Sequence, residues 1–303
     1  MVVLKKTILN WFMKNTKVKT IFKVVCSVGL IAFLLFHLDF AKISTLSWRM
    51  VFIPFVVSVL VTLLALLIMS YRWRLLIRQY LSIETPVLRL FNYYLTGMFF
   101  NIFLPGAIGG DVVRTKRLVD REGASVKGAT TITIVERAAG VYGLGLLLAV
   151  SLAVGNFPER FQISQWIPQW LLWCSPIIVL SVVPVLKYLL NKHDLPTTYS
   201  FILQTIAVLL LSQMGDVTIA WIFSRSLGIE IGYAAFIFIM PLVYVATVLP
   251  ISLGGLGVRE GSLAGLMMLY GVDASVAIVI SLLMYLVKVV VGIIGYFVYL
   301  KEK

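Results

Sequence analysis

The sequence predicts an all-α polytopic membrane protein, with six full spans and two re-entrant helical hairpins arranged as an inverted repeat. Three observations carry that prediction. Apolar residues make up 60% of the 303 and charged residues only 13%, against roughly a quarter charged in soluble domains. The apolar residues fall in long runs, each near the roughly 20 needed to cross a bilayer. Two glycine-rich breaks, LPGAIGGDVVR at 104–114 and LPISLGGLGVR at 249–259, interrupt such runs 145 positions apart and share six of eleven residues.

The chain opens with a basic segment, 1–23, in which Lys5, Lys6, Lys14, Lys17, Lys19 and Lys23 stand without an acidic residue. This is a cytoplasmic flank by the positive-inside rule, able also to attract anionic head groups. It accounts for much of the net charge of +13 without invoking nucleic acid. The first span, 24–38, is followed by His37-Leu38-Asp39-Phe40 rather than by a small-residue cleavage site, so it reads as retained. The other full spans are 51–70, 129–154, 169–187, 199–221 and 274–300. Cys26 and Cys174 both sit in apolar runs and suggest neither a disulfide framework nor a metal site.

Segments 88–121 and 232–270 are apolar but broken in the middle by the two glycine motifs. Arg72, Arg74, Arg78 and Arg89 precede the first break; Arg114, Lys116, Arg117, Arg121 and Lys127 follow it. Both flanks therefore belong on the cytoplasmic side, which a re-entrant hairpin satisfies and a continuous span does not. An arm of about 15 residues reaches only about 22 Å, short of a roughly 30 Å hydrocarbon core. The same rule puts the 187–194 loop inside, and the loops carrying Glu159 and Arg160 and then Arg225 and Glu230 outside. The second hairpin then enters from the outside, and both termini are cytoplasmic.

These elements repeat at offsets of roughly 145 to 148 residues: repeat one about 21–154, repeat two about 169–300, together a single transmembrane domain over 1–303. Each repeat is two spans, a hairpin and a span, and the two start on opposite sides. Inverted repeats with helices broken near the midplane are a recurrent transporter plan, with the substrate held between the repeats.

Proline at 105 and 250 removes a helical hydrogen bond, and the pairs Gly109-Gly110 and Gly254-Gly255 relax the backbone. In lipid, such freed groups must be buried by protein or reached by water. A helix restarting after each pair presents free N–H groups and the positive end of its dipole, an anion site suited to phosphate. Arg114 and Arg259, one turn along, add guanidinium groups that can grip phosphate bidentately. Asp111 reads as a first-turn acid of its helix.

Four more intramembrane charges, Glu136, Arg137, Asp216 and Lys288, each cost at least a few kcal/mol and imply a cavity or a partner. Glu136 and Arg137 read either as functional or as a structural pair with a hairpin residue such as Asp111. Asp216, near Gln213, reads as structural. Lys288 shares a helix face with Tyr285 and Gly292 and is the strongest functional candidate after the two motif arginines. Glu260 adjoins Arg259. The spacings Gly140/Gly143 and Gly292/Gly295 suit close helix packing. The two histidines, His37 and His193, lie at a membrane boundary and in a loop, so neither a metal centre nor a cofactor site is expected.

Taken in order, Asn101 through Arg114, then Val135-Glu136-Arg137, then Leu249-Pro250 and Gly254 through Glu260, the sequence resembles the lysylphosphatidylglycerol synthase transmembrane-domain family. That family is the flippase-like membrane portion of the multiple-peptide-resistance proteins and their stand-alone relatives. The resemblance implies a domain acting on lipids or lipid-linked head groups, with Arg114, Glu136, Arg137, Arg259 and Glu260 on the family's characteristic polar positions. The soluble aminoacyl-transferase domain is missing before Lys303, so lysyl transfer is not expected, and Lys288 stands near a position where relatives would carry Arg.

The resulting expectation is a flippase or scramblase in the cell membrane for a phospholipid or polyprenyl-linked glycolipid with a phosphate-bearing head group. A transferase using a lipid-linked donor and an accessory subunit of a glycosyltransferase are the alternatives. Membrane lipids, anionic or phosphate-bearing, are the expected partners; a homo-oligomer or a glycosyltransferase partner is compatible with the sequence.

Overall fold

The computed structural model describes residues 48–103, 109–155, 158, 168–192, 195–248 and 257–302. The basic segment, the first span, Cys26, both histidines, Pro105, Pro250, Gly254 and Gly255 lie outside the described residues. All regular structure within them is helical: α1 Trp48–Leu81, α2 Val87–Phe103, α3 Gly109–Glu122, α4 Val126–Val154, α5 Gln169–Leu180, α6 Val182–Lys192, α7 Tyr199–Ser226, α8 Tyr233–Val248, α9 Val258–Leu269 and α10 Ala274–Lys301. Among the described residues, five stretches are long and apolar enough to cross a membrane: Arg49–Leu81, Val126–Val154, Gln169–Lys192, Tyr199–Ser226 and Ala274–Lys301. They coincide with five of the spans expected from the sequence.

Two differences have physical causes. Helix α1 does not stop near Ser70 but continues to Leu81, because Trp73, Leu76 and Ile77 bury their side chains on the same face as the preceding turns. Arg72, expected on a cytoplasmic flank, is consequently inside the bundle. The span 169–192 is divided at Ser181 between α5 and α6, with prolines at 176 and 184 removing backbone donors on either side.

Local signals set the helix ends. Ser125 caps α4 by accepting from Gly128 N, Thr198 caps α7 by accepting from Phe201 N, and Asp273 caps α10 by accepting from Ser275 N. Gly155 closes α4 at φ 75°, a left-handed position that glycine adopts without strain.

Two larger apolar cores organise the bundle. One joins α1, α2, α3 and α4 around Trp73, Ile77, Leu90, Leu118 and Ile132. The other joins α7, α8, α9 and α10 around Phe223, Phe236, Ile239, Met267 and Ile280. The halves interlock: α1 runs along α7, α2 packs on α10, and α8 packs on α4. The α2–α10 contact is close because Gly295 lies under the Leu95 carbonyl and Gly292 under Ile102, where any side chain would collide. Gly143 plays the same part against Leu209, whereas Gly140 faces open space and instead lends its carbonyl to Gln213 Nε2 at 2.9 Å.

Helices α2 and α3 lie side by side and antiparallel. Gly97 touches Gly110 near the break, while Tyr93 donates to Glu122 Oε1 at 2.7 Å toward the far end. Glu302, at the end of α10, is gripped by Asn92 at 2.9 Å and by Arg117, and Arg121 donates to its carbonyl at 2.6 Å. The basic residues flanking α2 and α3 therefore share one end of the molecule with the end of α10. Gln79 donates to the Pro196 carbonyl at 3.0 Å, which brings residues 195–198 to that end as well.

Candidate functional site

Glu136, in the middle of α4's buried face, is the hub of the first polar cluster. Its Oε1 accepts from Arg72 Nη2 at 2.9 Å and from the Tyr94 hydroxyl, and its Oε2 lies 2.7 Å from Arg114 Nη2. Glu136 and Arg114 are both nearly inaccessible, at 3% and 4% exposure. The Arg114 guanidinium stacks over the rings of Trp73 and Tyr94, 4.9 and 4.5 Å from their centroids, and its Nε donates to Asp111 Oδ1 at 3.0 Å. Asp111 also takes Arg137 at 2.5 Å. One carboxylate cannot neutralise two guanidinium groups; Asp111 supplies a second negative charge, and the two carboxylates are shared among three guanidinium groups, those of Arg72, Arg114 and Arg137. Arg114 Nη1 is buried and has no hydrogen-bond partner among the described residues.

A second cluster is built on α7, α8 and α10. Tyr244 donates to Asp216 Oδ2 at 2.5 Å, Lys288 Nζ donates to the Tyr244 hydroxyl at 3.0 Å, and Lys288 stands 3.5 Å from Asp216 Oδ1. Both charged groups retain access, with 21% and 31% of the side chains exposed. A third group sits at the start of α9, where Arg259 Nη2 binds Glu260 Oε1 at 2.7 Å and lies over the Tyr285 ring at 5.2 Å. The other oxygen of Glu260 accepts from Gly257 N at 2.7 Å, closing the first turn.

The first two clusters face the same cavity of about 220 Å³. Tyr94, Asn101, Gly110, Asp111 and Arg114 line it from the first half, and Ser212, Gly215, Asp216 and Lys288 from the second. The chamber is walled largely by apolar surface but presents two cations and two anions, and it lies between helices of a bundle whose outer surface is apolar. The described residues contain no group of three or more metal-ligating side chains.

The structure thus collects Asn101, Gly110, Asp111, Arg114 and Lys288 at one cavity, with Glu136 and Arg137 behind them. It does not bring Arg259, Glu260 and Tyr285 to that lining. Arg114, expected to be available to a ligand, has two of its three nitrogens, Nε and Nη2, engaged with carboxylates. The free helix-start N–H groups are also partly used: Gly110 N donates to Asn101 Oδ1 at 2.7 Å, and Gly257 N to Glu260. Gly109 opens α3.

Four participants escaped the sequence reading: Arg72, Trp73, Tyr94 and Tyr244. Asp216, read as structural, proves to be the counter-ion of Lys288. Charge balance would have found it, since two opposite charges deep in different spans each need a partner. It would also have asked for more than one cation near Glu136. The aromatic members carry no such signal, because tyrosine in an apolar helix reads as packing.

A family model described as the lysylphosphatidylglycerol synthase TM region matches residues 20–295. No curated protein matches the chain at a significant level. The family match runs through all three polar clusters and nearly the whole bundle, and with it a multi-pass membrane protein related to lipid modification or transport; the chain belongs to the lysylphosphatidylglycerol synthase transmembrane-region family.

Proposed function

We propose that this protein moves a lipid with a phosphate-bearing head group from one leaflet to the other, as a flippase or scramblase of the cell membrane. The head group occupies the chamber between the halves while the hydrocarbon tails remain in the bilayer. The observation that carries the reading is the state of the cation on the chamber wall. Lys288 is held at 3.5 Å by a partly exposed carboxylate, so a phosphate can take its place without uncovering a buried charge. Arg114, whose buried Nη1 has no hydrogen-bond partner among the described residues, lines the facing wall.

The helix order supports an inverted repeat. α1, α2, α3 and α4 match α7, α8, α9 and α10, and the crossed contacts, α2 on α10 and α8 on α4, exchange under that correspondence. The arms of the two broken segments have 17, 14, 16 and 12 residues. At 1.5 Å per residue each falls short of a ~30 Å core, which favours re-entrant hairpins over complete spans. Glu302 joined to the basic flank of α2 and α3 favours a cytoplasmic C-terminus.

The chamber is smaller than the roughly 300–1,000 Å³ of ordinary small-molecule sites, which suits phosphate with a small substituent. A membrane potential favours outward movement of a mononegative head group by about 2.3 kcal/mol per 100 mV, without an ATPase. A transferase would need an uncommitted carboxylate, and those of Glu136 and Glu260 are both bound to arginine.

Reconstitution tests the reading. Vesicles holding fluorescent phospholipid are treated with an impermeant quencher from outside. With the protein present the inner-leaflet signal should also decay, and it should do so more slowly with Lys288→Met. Decay identical to that of protein-free vesicles, across several phosphate-bearing lipids, would remove the proposal.

A further inference from the structure

The face of the molecule between α3 and α4 carries a groove of about 530 Å³, larger than the chamber inside. Its rims are apolar and open outward: Val112, Val126 and Ile134 are 58%, 69% and 62% exposed. The contacts that close the floor are of another kind. Asp111 meets Arg137 at 2.5 Å, Arg114 meets Glu136 at 2.7 Å, and Thr115 meets Thr133 at 2.8 Å between hydroxyls. Each joins α3 to α4, and each is polar. Helices in lipid gain little by sealing a permanent joint with charges, since small residues and close packing do so at lower cost. Asp111 lines both the groove and the inner chamber, so only this joint separates the two.

We propose that the groove seats one hydrocarbon chain of a membrane phospholipid, and that the Asp111–Arg137 pair at its inner end is the lateral gate through which the head group passes into the chamber. The gate rests on the transport reading above; the chain site does not. A hydrocarbon chain fits the groove because most of its lining surface is apolar, carried by Val112, Val119, Val126 and Ile134, with Lys116 and Asp120 also on the lining. The phosphate fits the inner end because Arg137, with 44% of its side chain exposed, can exchange Asp111 for a phosphate oxygen. Asp111 then remains paired with Arg114, so opening the gate strands no charge. The apolar pocket among α1, α4, α6 and α7 has no such connection: Leu76, Val135, Leu186 and Phe201 line it, and it shares no residue with the chamber.

Two measurements separate the claims. Purified protein is reconstituted with a phospholipid carrying a photoactivatable group mid-chain, and the adducts are mapped by peptide mass spectrometry. Labelling of Val112, Thr130 and Ile134 should exceed that of Ile177 and Leu211, whose exposure matches that of Val112 and Ile134, by about tenfold or more. Equal labelling overturns the chain site. For the gate, Thr115→Cys/Thr133→Cys is placed in a Cys26→Ser/Cys174→Ser background, the hydroxyl contact being close enough for a disulfide. Oxidation should slow lipid movement about tenfold or more, and reduction should restore it. Unchanged movement with the joint crosslinked overturns the gate. If the unmodified protein moves no lipid, the gate falls with the transport reading, and photolabelling still decides the chain site.

Discussion

The two ionic clusters on the chamber wall are built to opposite standards. Around Glu136, three helices deliver Arg72, Arg114 and Tyr94 to one carboxylate with almost no access to water, and aromatic rings cover the guanidinium face. Around Asp216 a single lysine stands at a longer distance, both groups keep contact with the chamber, and a tyrosine hydroxyl bridges them. Ion pairs sealed from water lose heavily when one partner goes, because the other is left charged and unpaired. Pairs with access lose little. On the transport reading, the contrast gives stability to the pairs on Glu136 and ligand exchange to the pair of Lys288 and Asp216. Charge type alone would have given the leading role to the arginines.

Substitutions sharpen or break that contrast. The largest effect belongs to Glu136→Ala, which leaves Arg72 and Arg114 without their shared counter-ion; a loss of about 3–5 kcal/mol is expected, read as a lower unfolding temperature in detergent. A change within experimental error would dissolve the distinction between the clusters. Glu260→Ala removes both the carboxylate that closes the first turn of α9 through Gly257 N and the partner of Arg259, so more than the about 1 kcal/mol of a lost helix cap should be lost. Asp216→Asn should cost less than Glu136→Ala, because Lys288 keeps the Tyr244 hydroxyl and its access to the chamber. It should also raise the amount of phosphate-bearing lipid that co-purifies, since Lys288 is released from its competitor. Reduced lipid with unchanged stability would place the phosphate elsewhere.

Much of the architecture is legible in the sequence because the bilayer sets both element length and side-chain polarity. Five described spans fall where apolar runs predict them, and Gly109-Gly110 stands at the start of α3. The end of α1 is less legible. Arg72, Arg74 and Arg78 look like a flank, yet Trp73, Leu76 and Ile77 extend the buried face past them, and one arginine is drawn in with it. Helix-packing glycines are legible in part. Gly292 and Gly295 do press on α2, but Gly140, at the same spacing from Gly143, faces open space; spacing gives a shared face, not the neighbour against it. The site divides in the same way. Arg114, Lys288 and Asp111 stand out as charges in lipid, whereas their pairing depends on how α4, α7 and α10 come together around the chamber. Asn101 illustrates the limit: its presence near the break is visible, but its bond to Gly110 N, which partly satisfies the helix start expected to bind anions, is a tertiary fact.

The central claim is that Lys288 holds a phosphate-bearing head group in the chamber. Mass spectrometry of lipids retained by the purified protein, wild type beside Lys288→Met, tests it most directly. The claim predicts one phosphate-bearing lipid enriched over the bulk membrane in wild type and reduced about tenfold, or 1.4 kcal/mol, in the variant, with the unfolding temperature little changed. Identical lipid profiles from two equally stable proteins would contradict it.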